Sequence, residues 1–211
     1  MSRPVADSPE AVMNQPAPRS ATVTRETGET KVSVTLLLDG SGQADVQSGI
    51  GFLDHLLSAL AKHARFDLEL RCEGDLHIDD HHTAEDCALT LGAALDQALG
   101  ERRGIRRFGS AYAPLDEALA RAVVDLSGRP FAQVELGLKR ERLGELACEN
   151  IGHVLRSLAM ASRATLHVDL LRGENDHHRA EAAFKATALA LRAAVARDGD
   201  AAAIPSTKGV L

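Results

Sequence analysis

Two similar halves, each reading strand, strand, helix, strand, helix, predict an α+β protein, an α/β two-layer arrangement of sheets packed against helices. Three observations carry this prediction. The stretch "HHTAE" at residues 81–85 returns as "HHRAE" at 177–181, and each copy follows a lone histidine: His55 stands 26 residues before His81, and His153 stands 24 before His177. The segments "DHLLSALAKHARFDLEL" and "GHVLRSLAMASRATLHV" lie on each other directly, so an internal duplication is the economical explanation. With aromatics at 3% and no tryptophan, the core of both halves has to be built from Leu, Ala, Val and Ile.

The elements follow in order. Residues 1–24 hold four of the seven prolines with Ser, Thr and Ala, the composition of a disordered tail that joins the first strand only at its end. "KVSVTLLLDGSG" is strand-like, β-branched residues running into a Gly/Ser/Asp turn. "GFLDHLLSALAKH" carries apolar residues at helical spacing, and "RFDLELRC" alternates as a half-buried strand does. "HTAEDCALTLGAALDQAL" is an amphipathic helix broken by Gly100 and Gly104. In the second half "ALARAVVDLSGRP" and "FAQVELGL" read as a strand pair joined at Gly128–Pro130. "CENIGHVLRSLAMAS" then reads as a helix, "ATLHVDLLRG" as a strand and "HRAEAAFKATALALRAAVA" as a long helix. One domain over residues 25–211 is expected, with repeats at about 25–105 and 106–205.

Composition narrows the function. At 211 residues the chain can bury a sizeable core, and a formal charge of −6 argues against a nucleic-acid binder. No apolar run approaches the roughly 20 residues of a membrane span, and no signal-peptide core opens the sequence. Cys72, Cys87 and Cys148 are scattered without CxxC spacing, which argues against a disulfide framework and fits a reducing cytoplasm.

On a helix, residues four apart share a face, so His81 and Glu85 can hold one ion, as can His177 and Glu181. His82 and His178 sit about 100° further round and point towards a different ion. A single HHxxE is commonly a solvated helix start; two copies with matched upstream histidines are not. If the halves meet, within a chain or between subunits, one ion takes His81, Glu85, His153 and His178. The other takes His177, Glu181, His55 and His82. Three imidazoles and a carboxylate suit a borderline divalent ion such as Mn, Fe or Zn, with Asp79, Asp80, Asp86 and Asp176 as candidates to orient the rings. His63, His77 and His167 lack partners in the repeat. "ERRGIRRFG" carries Arg102, Arg103, Arg106 and Arg107, by itself most often a solvated loop; with Arg129 of "LSGRP" and Ser206, Thr207 and Lys208 of "IPSTKGVL" these groups suit a phosphate, though spacing alone does not bring them together. With no Gly-rich P-loop, a small sugar-like phosphate is the better match.

The motifs "RETGET", "LDGSG", "GIGFLDHLL", "GDLHIDDHHTAED", "GERRGIRRFG", "APLDEAL", "DLSGRPF", "NDHHRAEAAFKA" and "IPSTKGVL" resemble the imidazoleglycerol-phosphate dehydratase family, over nearly everything from about residue 25 onward. The resemblance implies a ribosomal protein S5 domain 2-like fold of two ββαβα halves. It implies dehydration of D-erythro-imidazole-glycerol phosphate to imidazole acetol phosphate in histidine biosynthesis, a hydro-lyase reaction in the cytoplasm. It further implies two Mn2+ per active site, other divalent transition metals being able to substitute, and a homo-oligomer of 24 subunits with sites where subunits meet. No nucleic-acid or membrane partner is implied, and no phosphatase domain is expected in this length.

In that scheme coordination of both ring nitrogens stabilises an imidazolate, which expels the neighbouring hydroxyl and leads through an enol to the ketone. Glu29 of "GET" is expected as the acid/base group, with Glu85 and Glu181 engaged as ligands. Arg107, Arg129, Lys185, Ser206 and Lys208 are expected at the phosphate. The sequence departs from the family at Gly152, where a glutamate is usual, at Val154–Leu155 in place of an aromatic pair, and at Gly51 in place of a proline. All three are expected to touch packing more than ligands.

Overall fold

The first strand, β1 (Ser20–Glu26), turns back at once into β2 (Thr30–Leu37), and the two pair antiparallel along their length. β3 (Ala44–Gln47), α1 (Gly51–Ala64), β4 (Asp67–Gly74) and α2 (His81–Leu99) complete the first half. The second half repeats it as β5 (Phe108–Leu115), β6 (Ala118–Asp125), β7 (Phe131–Glu135), α3 (Cys148–Ala161), β10 (Thr165–Arg172) and α4 (Asp176–Val195), with a short hairpin, β8 (Arg142–Leu143) and β9 (Leu146–Ala147), inserted before α3. The structure, a computed structural model, describes residues 18–209 and Leu211.

Each half forms one four-stranded sheet, β1-β2-β4-β3 and β5-β6-β10-β7. In both, the first three strands in the order are antiparallel and the last edge strand is parallel to its neighbour, across a helical crossover. The duplication reaches single residues: Arg65 after α1 and Arg163 after α3 both adopt a left-handed backbone, φ 60° and 50°. Two similar α+β halves are therefore present.

The strand assignment needs correcting. β6 and β7 are not a pair, because β10 lies between them, antiparallel to one and parallel to the other. β6 instead pairs with β5, which the sequence reading passed over, as it did β1 and β3. Residues 20–24, assigned to the tail, belong to β1, because Ser20 to Thr24 pair with Leu37 to Ser33. Residues 1–17 lie outside the described part.

The helices fill the middle and the sheets form the outer walls. α2 packs on β1 and β2 and against α3, while α4 packs on β5 and β6 and against α1. Every helix thus touches its own sheet and one helix of the other half. β2 shows the resulting alternation, Val32, Val34 and Leu36 buried while Lys31 and Thr35 face outward. The alanine run of α4, including Ala180, Ala183, Ala186, Ala190 and Ala194, is fully buried. Small side chains there let α4 approach β5 so closely that a Cβ on Gly109 would come within 1.9 Å of the Ala190 carbonyl. Only Phe66 and Phe184 among the aromatics are buried.

Candidate metal centre

Because α1 meets α4 and α2 meets α3, the ligand-type side chains meet across halves. His55 on α1 joins His177 and Glu181 on α4, and His81 and Glu85 on α2 join His153 on α3. In each trio the ligand atoms lie within 4.8 Å of one another. In the first, Nε2 of His55 and of His177 stand 2.9 and 3.2 Å from Oε2 of Glu181. In the second, Nε2 of His153 is 2.8 Å from Oε1 of Glu85, and the His81 and His153 rings stack at 4.8 Å. The HHxxE register places the first imidazole and the carboxylate one turn apart on a single face, and a side chain two residues upstream accepts from the amide of each first histidine. The amide N–H of His81 donates to Oδ1 of Asp79, and that of His177 to Oδ1 of Asn175.

Two imidazoles and a carboxylate in so small a space fit a divalent transition-metal ion, leaving positions for further ligands. Burial alone would raise the Glu181 carboxyl, but Lys185 Nζ, 2.6 Å from Oε1, together with His55 holds it near 2. It is ionised, as a ligand must be.

His82 and His178, expected as fourth ligands, are not in these trios. Turned away by the helical period, Nδ1 of His82 is 3.0 Å from Oδ2 of Asp75, and its Nε2 is 3.6 Å from Oε1 of Glu29. Nδ1 of His178 is 2.7 Å from Oε2 of Glu117, and its Nε2 is 3.8 Å from Asp116. The Asp75 and Glu117 carboxylates raise the pKa of His82 and His178 above the usual imidazole value. The backbone N–H of Asn175, then His178 and the N–H of Glu174, pull Glu117 down to about 2.

The carboxylates expected to orient the rings mostly do other work. Asp86 is buried and holds Arg25 and Thr30, tying α2 to the β1–β2 hairpin. Asp79 accepts from the His81 amide, and Asp176 accepts from the amides of Lys139 and Arg140. Only Asp80 acts on a ring, through Asn150: it accepts from Nδ2 of Asn150, whose Oδ1 meets Nδ1 of His81 at 2.9 Å. Asn150, Phe52, Asp75 and Glu117 were missed as site residues. Asp75 and Glu117 lay in plain view within "GDLHIDDHH" and "APLDEAL", whereas nothing local marked Asn150 or Phe52.

Arg107, Arg129 and the C-terminal segment converge. Arg107 grips Asp125 with Nε and Nη2 and donates from Nη1 to the Pro205 carbonyl, next to Ser206. Arg129 lies 3.8 Å from the same Asp125. Lys185 is elsewhere, paired with Glu181 in a metal trio. Thr207 and Lys208 are exposed, the latter's amide donating to Ser206 Oγ. The departures are sterically mild: a Cβ at Gly152 would meet only the Arg156 guanidinium, at 3.4 Å, and one at Gly51 would meet nothing within 4 Å. Val154 and Leu155 are core residues.

Fold and site together define a duplicated α+β chain whose halves meet to form two His/Glu trios. The family model described as imidazoleglycerol-phosphate dehydratase matches residues 48–191. A relative of that name from Scheffersomyces stipitis is 56% identical over 92% of this chain and 99% of its own length, and one from Salinibacter ruber is 56% identical over 92% and 96%. A relative from Phytophthora nicotianae is 60% identical, and this chain spans only 46% of its length. Among solved structures, the dehydratase of Staphylococcus aureus superposes with a TM-score of 0.76 at 32% identity, over 84% of this chain and 99% of that one. The enzyme of Pyrococcus furiosus reaches 0.77 at 36%, over 90% and 100%. The chain belongs to the imidazoleglycerol-phosphate dehydratase family, a family of hydro-lyases. Among the described residues no helix is long and apolar enough to cross a membrane.

Proposed function

We propose that this chain removes water from D-erythro-imidazole-glycerol phosphate to give imidazole acetol phosphate in histidine biosynthesis, in the cytoplasm. Two divalent ions, manganese for preference, serve each active site, and sites are completed where subunits of a 24-subunit assembly meet. One observation carries the reading. Each trio draws on both halves of the chain, while His82 and His178 lie outside both trios, their Nε2 atoms 3.6 Å from Glu29 and 3.8 Å from Asp116; we read them as ligands offered to a neighbouring copy. Three intrachain ligands plus one borrowed imidazole make each four-ligand set.

Ions held there supply Lewis acidity towards the substrate's ring nitrogens and a template for its orientation. The chain's own residues do the rest. Glu29 stands beside His82 Nε2, where a carboxylate can take and return a proton, while Glu85 and Glu181 are committed as ligands. Arg107, Arg129, Ser206 and Lys208 gather at the β5–β6 end of the second half and suit the phosphate, with Thr207 alongside. Asp125, which now occupies Arg107, has to yield part of that guanidinium to substrate. Lys185 serves by holding Glu181 ionised.

The test is direct: purify the full chain, measure its metal content, and follow imidazole acetol phosphate before and after chelation. Turnover vanishes on stripping and returns with Mn2+. Undiminished turnover in metal-free protein would sink the proposal, and stoichiometric metal without any turnover would leave only a metal-binding protein.

A further inference from the structure

The duplication places Glu29 and Glu117 at the same point of their halves, each the last residue of a hairpin turn, directly before β2 and before β6. They nevertheless stand differently to their histidines. Glu117 accepts from Nδ1 of His178 and, through its other oxygen, from the amides of Glu174 and Asn175 at the start of α4. Glu29 leaves Nδ1 of His82 alone and faces Nε2 at 3.6 Å. In the first half Nδ1 belongs to Asp75, the residue just after β4. The matching residue just after β10 is Gly173, at φ 148°, where a Cβ would come within 2.9 Å of Ala118. The second half therefore has no room for an aspartate at that point.

We infer that Asp75 and Glu117 are positioning residues, each fixing the ring and tautomer of one outward histidine so that Nε2 keeps its lone pair for a metal ion, and that Asp75 thereby releases Glu29 to work on substrate. The inference rests on the proposed function, in which His82 and His178 are ligands. A neutral imidazole that donates its Nδ1 proton to a carboxylate has an unprotonated Nε2, and a bound cation would favour that neutral form over the imidazolium. Asp75 meets His82 through Oδ2, while its Oδ1 is buried without a hydrogen-bond partner among the described residues, an arrangement that costs free energy. Glu117 also ties the β5–β6 turn to α4, and Asp116 beside it holds a positive φ of 47° in a two-residue turn, a conformation that Asp, like Asn and Gly, adopts readily.

The experiment is Mn2+ titration of the stripped, full-length protein, with free Mn2+ read by electron paramagnetic resonance, alongside melting of the metal-free form. In Asp75→Asn or Glu117→Gln the amide accepts more weakly and can turn its NH2 to the ring, moving the proton to Nε2. Each variant weakens one of the two classes of site about 10- to 100-fold, whereas Glu29→Gln lowers turnover and leaves Mn2+ affinity unchanged. In the pair His82→Ala with Asp75→Asn, the double variant binds no more weakly than His82→Ala alone, because one acts through the other. Wild-type affinity in both amide variants, or additive losses in the pair, overturns the inference while the proposed function stands. Absence of Mn2+ binding in the wild type overturns both. Glu117→Gln keeps an oxygen for the Glu174 and Asn175 amides and carries the test should Asp75→Asn not fold.

Discussion

His81 and His177 open equivalent helices and face equivalent partners, yet they are held by different means. His81 is fixed by a polar chain, Asp80 to Asn150 to Nδ1, and lies flat on His153. At His177 the residue matching Asn150 is Phe52, three positions before the upstream histidine in each half, and its ring centroid is 5.1 Å from the imidazole. The carboxylates differ too. Glu181 is anchored by Lys185 one turn on, whereas the residue one turn after Glu85 is Leu89. The candidate ligand atoms keep equivalent places in the two halves, while their supports differ: a hydrogen-bonded network on one side, ring packing plus a charge on the other.

The largest effects probe whether the two outward histidines are equivalent. His82→Ala and His178→Ala should each lower kcat/KM by on the order of 1,000-fold, the several kcal/mol that a metal ligand underwrites, while His63→Ala has a far smaller effect. Similar losses for all three would contradict the ligand assignment. The two kinds of support separate at the next level. Asn150→Ala should weaken metal binding about 10-fold or more, read by titration of stripped protein. Phe52→Ala should leave affinity within a few-fold and lower thermal stability by about 1–2 kcal/mol, since its ring is only half-buried. The reverse pattern would mean that packing, not hydrogen bonding, sets affinity.

The smallest effect concerns acid stability, which differs between the halves at the residue opening β4 and β10. In the first half this is Asp67, which accepts from the amides of Gln43, Ser41 and Gly42; the Gln43 amide is the largest influence holding its pKa below the ordinary value. In the second it is Thr165, whose hydroxyl donates to the Arg129 carbonyl. A depressed folded pKa stabilises above the ordinary value of about 4, and that stabilisation is lost as pH falls through the lower folded value. Asp67→Asn should therefore cost about 1 kcal/mol at pH 7, with the deficit against wild type closing on acidification. A deficit constant from pH 7 to pH 3 would assign the effect to packing instead.

Much of this was legible in the sequence because helices and catalytic-type side chains carry strong local signals. All four helices follow from apolar periodicity, and the HHxxE spacing fixes which side chains share a face. The omitted strands are all sheet edges. β3 has four residues, β5 contains Pro114, and β1 grows out of a proline-rich segment. Edge strands need satisfy only one neighbour and tolerate proline, so their sequences are poorly marked. β7 was found but mispaired, because a parallel neighbour arrives only after the α3 crossover. Asn150 and Phe52 were invisible for another reason: what they support becomes apparent only when α3 lies on α2 and α1 on α4.

That exchange of helices between halves bears on ancestry. A chain of half this length would carry one lone histidine and one HHxxE, but on helices that lean on different partners, and it would gather no trio by itself. Two such chains docked around a twofold axis would have produced both trios at once, in identical copies. Fusion of the genes would then have preserved a binding site that was already shared, and freed its two versions to drift apart.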